Sequence, residues 1–191
     1  MTKTIYQIHL KLKGSKPNIW RRLLVPSDVP LSDLHKIIQT TMGWTNSHLH
    51  QFIKDRTFYE PTPPVDDLCD SSGTDYTGLT LDELLKTKND TMTYEYDFGD
   101  GWEHEIKLDA ILPADEKGTL PKCTAGAMAC PPEDCGGIWG FQEFKKIMKN
   151  PDHPEYEDYV VWYGGEFDPK TFDMEEVNEM LKDENYGVFE W

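Results

Sequence analysis

Two histidines one residue apart, His48 and His50, are the first groups in this 191-residue chain whose type and spacing could do chemistry. On a strand, residues i and i+2 point to the same side, so both imidazoles could ligate one metal ion. Two donors make a weak site, and a third and fourth are needed. His104, with Asp97 or Glu103, supplies them if the strands are neighbours. The metal set is then His48, His50 and His104, and the ion would activate water for hydrolysis. Glu133 or Asp134, next to the rigid Pro131-Pro132 turn, would act as general base. The alternative is that these histidines are solvated, or hydrogen-bonded within the fold. Gly-x-Ser-x-Gly, Walker and Rossmann glycine patterns are all absent, so no organic cofactor is expected.

The second feature is Tyr94-Glu95-Tyr96-Asp97-Phe98-Gly99-Asp100-Gly101-Trp102-Glu103-His104-Glu105-Ile106. It reads as a hairpin. A three-residue loop at 99–101 pairs Phe98 with Trp102, Tyr96 with His104 and Tyr94 with Ile106, keeping one face apolar. The same register opposes Asp97 to Glu103 and Glu95 to Glu105. Like charges directly opposite destabilise a sheet. Water, Arg21 or Arg22, or a bound cation must compensate. A solvated acidic face and a cation site both remain open.

Cys123, Cys130 and Cys135 lie near Gly136-Gly137, with Cys69 upstream. Four clustered cysteines are too few for a secreted disulfide scaffold, and the spacing fits a zinc knuckle poorly. Reduced thiols in a structured loop are expected. A zinc site with His153, or redox pairing of Cys130 with Cys135, is the alternative.

Several elements must position these groups. Tyr6, Ile8, Leu10 and Leu12 alternate with Gln7, His9 and Lys11, which predicts a strand over 5–13. A turn at 14–17 and a strand over 19–25 complete a hairpin. Leu31, Leu34, Ile38 and Met42 share one helical face, and Gly43 suits the left-handed stop. A strand over 49–53 follows, then a loop over 55–78, a short helix over 81–85, and strands over 91–98 and 102–112. Residues 113–137 read as loop. Helices are expected over 141–149, 154–163 and from Asp173 to about Lys182. This order predicts an α+β fold with a β-grasp-like, ubiquitin-like mixed sheet, an added hairpin strand and C-terminal helices packed on it. A single domain is expected over 1–191, sheet-rich to 112 and helical beyond.

Charge narrows the partners. The net charge is −16, from 19 Lys/Arg and 35 Asp/Glu. It runs from +5 over residues 1–60 (nine basic, four acidic) to −10 over 61–149 (eight, eighteen) and −11 over 150–191 (two, thirteen). A whole-chain charge of that sign opposes nucleic acid, which needs a basic face. With 38% hydrophobic residues the chain is globular rather than an acidic tail. There is no apolar leader and no 18-residue apolar run, so a soluble, cytoplasmic protein is expected.

The motifs also form a recognisable series. It begins with Pro17-Asn18-Ile19-Trp20-Arg21-Arg22, Leu34-His35, Met42-Gly43-Trp44 and Ser47-His48-Leu49-His50. It continues with Tyr96-Asp97-Phe98-Gly99-Asp100-Gly101-Trp102-Glu103-His104, Pro131-Pro132-Glu133-Asp134-Cys135-Gly136-Gly137 and Phe167-Asp168-Pro169. In that order, over about residues 4–182, the chain resembles the plasmid pRiA4b ORF-3-like family. The resemblance implies no reaction and no catalytic residue. It implies motif positions: Trp20, Arg21, Arg22, His48, His50, Asp97, Asp100, Trp102, Glu103, His104, Glu133 and Asp134. The expectation is a non-enzymatic binding or interaction module for a protein or small-molecule ligand. The alternative is a metal-dependent hydrolase or nuclease built on the His/carboxylate cluster.

Overall fold

Alternation in the first hairpin decides which side of the sheet is buried. In the computed structural model, which describes residues 4–61, 73–114 and 118–188, β1 (Thr4–Leu12) buries Tyr6, Ile8, Leu10 and Leu12. β2 (Trp20–Pro26) pairs with it antiparallel and buries Arg21, Leu23 and Val25. The chain then crosses as α1 (Leu31–Met42), whose apolar stripe of Leu31, Leu34, Ile37 and Ile38 is wholly buried. Gly43, at φ 80°, ends it by donating to the carbonyls of Gln39 and Thr40.

The remaining strands are β3 (His50–Lys54), β4 (Thr57–Glu60), β5 (Thr74–Asp75), β6 (Thr91–Tyr96), β7 (Trp102–Pro113) and β8 (Lys122–Ala127). The helices are α2 (Leu81–Leu84), α3 (Gly137–Met148), α4 (Tyr156–Tyr163) and α5 (Met174–Met180), with a 3-10 turn at Glu184–Gly187. The described strands form one mixed sheet in the order β5-β4-β3-β6-β7-β1-β2-β8. This is an α+β fold with C-terminal helices, consistent with a general β-grasp-like arrangement. β1 is flanked by antiparallel β2 and β7, and the parallel pair, β4 with β5, lies at the edge. These pairings do not establish the ubiquitin-like order. An apolar cluster runs from Tyr6 through Leu181.

Three expectations change. The stretch 113–137 contains β8, which pairs with β2; its Lys, Ala and Gly residues carry little strand propensity, and the partner strand supplies the order. The stretch 55–78 contains β4 and β5. The hairpin register is also shifted. Tyr96 faces Trp102, Tyr94 faces His104 and Glu95 faces Glu103, so the connection is five residues, 97–101. The buried face survives because the slip is an even number of residues.

Neither expected like-charge pair, Asp97 with Glu103 or Glu95 with Glu105, forms; the shifted register instead opposes Glu95 to Glu103, and the compensation is local. Lys13 Nζ reaches Glu103 Oε2 at 2.9 Å and Thr93 Oγ1 at 2.9 Å. Gln51 Nε2 donates to Glu95 Oε2 at 2.6 Å. Among the described residues neither Arg21 nor Arg22 pairs with Asp97 or Glu103; Arg22 instead lies 4.0 Å from Asp109. Lys13 and Glu103 are both about half exposed. Replacing Lys13 with methionine is therefore expected to cost no more than about 1 kcal/mol in urea denaturation.

Candidate metal centre

Two loops and one tight turn meet beyond the end of the β6–β7 hairpin. The first loop leaves α1 through Gly43 and returns to the sheet at His50. Buried polar groups hold it. His35 Nε2 donates to Asn46 Oδ1 at 2.6 Å, and Asn46 N donates to Gln39 Oε1 at 3.0 Å. Ser47 N donates to the Tyr96 hydroxyl at 3.0 Å. The second loop, 129–136, is tied to the first. Trp44 Nε1 donates to the Pro131 carbonyl at 3.0 Å. Glu133 accepts from Thr45 N, Thr45 Oγ1, Ser47 Oγ and the Tyr96 hydroxyl.

The turn at 97–101 completes the junction. Asp97 takes up left-handed backbone at φ 56°, which aspartate tolerates through local side-chain bonds. Its Oδ1 accepts from Gly99 N at 2.9 Å and Asp100 N at 3.3 Å, and its own N–H donates to Leu49 O. Asp100 Oδ2 accepts from Gly136 N at 3.1 Å. Gly137 must be glycine: at φ +66° a Cβ would lie 2.4 Å from the Asp100 carbonyl oxygen.

These links aim three donors at one point. His48 Nε2 lies 3.3 Å from Asp134 Oδ1 and 3.7 Å from Asp97 Oδ2. One donor atom from each of the three residues falls within 4.8 Å of the others. Tetrahedral ligands about 2.1 Å from one ion sit about 3.4 Å apart, so the spacing suits a first-row divalent cation. His48 Nε2 is shielded from solvent and makes no hydrogen bond, as a metal-facing nitrogen requires. Asp97 is mostly buried and Asp134 exposed. Three protein donors leave room for water or ligand on the ion.

The expected set of His48, His50 and His104 does not converge. Among the described residues, no group of ligating side chains within reach includes His50 or His104. His48 precedes β3, after the left-handed Asn46 at φ 60°, so the same-side rule for strands does not extend to it. His50 starts the strand and turns into the core. Its ring stacks on His35, centroids 3.5 Å apart and planes 4° from parallel, and Nε2 meets the Tyr76 hydroxyl at 2.8 Å. His104 is fully buried against Trp44 and Tyr94. Its Nδ1 donates to the Trp102 carbonyl at 3.1 Å.

Burial keeps these imidazoles neutral. Loss of solvation pushes His35 down to about 4 and His104 to about 3, and holds His50 well below its ordinary value. The His35 bonds agree: Asn46 Oδ1 can only accept, so Nε2 carries the proton and Nδ1 accepts from Tyr94.

The other expected site residues divide by role. Trp102 is core, Glu103 pairs with Lys13, and Asp100 and Glu133 fasten loops. Arg21 is buried: Nε donates to Thr41 O at 2.9 Å, Nη1 to Trp20 O and Ala127 O, and Nη2 to Met128 O. Cys123, Cys130 and Cys135 are free thiols. Burial raises all three, Cys135 to about 12, so none is a ready thiolate. Cys69 lies outside the described residues. Trp44 and Tyr96 fall within the motif series but carry no expected site role, since aromatic residues on a strand face or after a helix look like core.

The profile of the plasmid pRiA4b ORF-3-like protein family matches residues 4–176. The chain belongs to this family. The chain is 34% identical over 187 residues to the uncharacterized protein y4hQ of Sinorhizobium fredii, covering 96% of this chain and 93% of that one. It is similar to the crystal structure of a protein of unknown function, MM3350, from Methanosarcina mazei Go1, at 36% identity and a TM-score of 0.80. That match covers 92% of this chain and 98% of the other. Among the described residues of this family member, no helix is long and apolar enough to cross a membrane.

Proposed function

We propose that this protein is a non-enzymatic binding module, built as a single domain, whose functional centre is a divalent-cation site of His48, Asp97 and Asp134. The observation that carries it is the approach of both carboxylates to an unbonded imidazole nitrogen. Those carboxylates come from separate loops fixed by Glu133, Trp44 and Asp100. Asp97 Oδ1 is held by backbone N–H groups, which leaves Oδ2 for an ion. A bound cation would join the three segments and present an open coordination position to a ligand.

A hydrolase or nuclease would use metal-bound water and would gain from a general base beside the ion. Asp134 is spent as a ligand, and the Glu133 carboxylate already accepts four hydrogen bonds. This favours binding over turnover.

The test is calorimetric titration of chelator-stripped protein with Zn²⁺ and Mn²⁺. One ion per chain is expected. Asp97→Asn preserves shape, the bonds to Gly99 and Asp100 and tolerance of the left-handed backbone. It should weaken metal binding by at least about 100-fold while thermal unfolding of the metal-free protein barely moves. Wild-type affinity in Asp97→Asn would rule the site out. Metal-dependent cleavage of a phosphodiester that vanishes in Asp97→Asn would establish the hydrolase instead.

A further inference from the structure

Loop 129–136 borders a second feature besides the His48 cluster. Asp134 and Cys135 also line a cleft of about 330 Å³, together with Asp158, Tyr159 and Trp162 of α4. α4 buries none of its residues. Tyr159 and Trp162 are held from behind by Phe144 of α3, at 6.0 and 5.9 Å between ring centroids. Their own rings stand 6.1 Å apart with 67° between planes, so they make a two-sided aromatic corner. Trp162 is 49% exposed, which leaves part of its indole free for a guest.

The chemistry of this corner is specific. Aromatic faces attract a cation through their quadrupole, and a carboxylate beside them adds direct charge. The cleft carries two carboxylates, Asp134 and Asp158, and no basic side chain. Residues 150–191 have a net charge of −11, from two basic and thirteen acidic residues, so the surrounding field attracts the same sign of guest. An anionic guest meets repulsion, and a neutral apolar guest gains nothing from either aspartate.

We propose that the cleft between loop 129–136 and α4 binds an organic cation, an alkylammonium or guanidinium group, against Tyr159 and Trp162 with Asp158 as its counter-charge. The proposal does not depend on a metal at His48. Asp158 is absent from the metal set, so the cleft keeps a carboxylate of its own when an ion holds Asp134.

The experiment uses the full chain in excess chelator, followed by the indole N–H resonances. The probes are N-acetyl-arginine methylamide, spermidine and the uncharged N-acetyl-norleucine methylamide. Saturable shifts of the Trp162 signal are expected with the cations and not with the norleucine analogue. Response to the arginine probe alone assigns a basic side chain, and response to spermidine alone assigns a free polyamine; either supports the site. Asp158→Asn, read by the same signal, and Trp162→Ala, read by calorimetric titration because its own indole signal is gone, should each weaken binding about tenfold. Trp139→Ala, at an 87% exposed residue outside the cleft, should change nothing. Equal binding of the norleucine analogue, no binding of either cation, or full affinity in folded Trp162→Ala would overturn the proposal. Because chelator is present throughout, failure here is separable from failure of metal binding.

Discussion

Acidification from pH 7 to pH 4.5 should remove about 5 kcal/mol of stability through His35 and His104 alone. Both are neutral in the fold, one held to about 4 and the other to about 3 by burial, while an unfolded histidine titrates near 6.5. Below pH 6.5 the unfolded chain therefore binds more protons than the native one. Stability is complete above the unfolded value and falls as the pH drops toward the folded values. Each histidine costs about 1.4 kcal/mol per pH unit in that window. A domain stable by about 5–15 kcal/mol loses much of its margin. Urea midpoints followed by circular dichroism from pH 7.5 to 4.5 measure this directly. His50 adds to the same slope, so replacing His104 with leucine removes one of three buried neutral histidines and should lower the slope by about a third. A midpoint that stays flat between pH 6.5 and 4.5 would show that the buried histidines accept protons in the native state.

Arg21→Met should destabilise the protein by about 3 kcal/mol, because it leaves several carbonyls without a donor. The guanidinium binds four of them, from Thr41 at the end of α1, Trp20 of β2, Ala127 of β8 and Met128 just beyond. It thus joins helix, sheet and the approach to loop 129–136. No carboxylate lies within ion-pair reach of it among the described residues. Phe172 covers its face at 3.8 Å, and Gly126 makes room: a Cβ there would lie 2.4 Å from the Phe172 ring and 2.9 Å from Arg21 Cδ. Methionine keeps the apolar stem and loses every donor. Lysine should not restore stability, since a single ammonium cannot span a fork of four acceptors. Thermal unfolding should fall by about 10 °C. Metal affinity should weaken as well, because Asp134 rides on the loop that Arg21 anchors. A stable Arg21→Met protein would mean that water replaces the guanidinium.

Periodicity made much of the sheet and α1 readable. Alternation in β1 and the stripe from Leu31 to Met42 place their buried faces as found. It also contained an unused signal: Arg21 is in phase with Leu23 and Val25, which puts a charged residue on the core face. β8 was hidden because Lys122, Ala125, Gly126 and Ala127 have little strand propensity and are ordered by pairing with β2. The even slip of the 97–101 turn was hidden too, since it leaves the apolar face unchanged.

The sequence by itself determined the family, the α+β class and the pool of motif residues from which any site had to come. It named His48, Asp97 and Asp134 but grouped His48 with His50 and His104. Only the tertiary structure separated them. Side-chain direction near His48 depends on the left-handed backbone at Asn46, and the bond from Tyr96 to Glu133 draws in a loop from far along the chain. Local pattern reports which face a residue occupies. Which distant carboxylate meets an imidazole is settled by loop closure and buried hydrogen bonds, and those have no period to read.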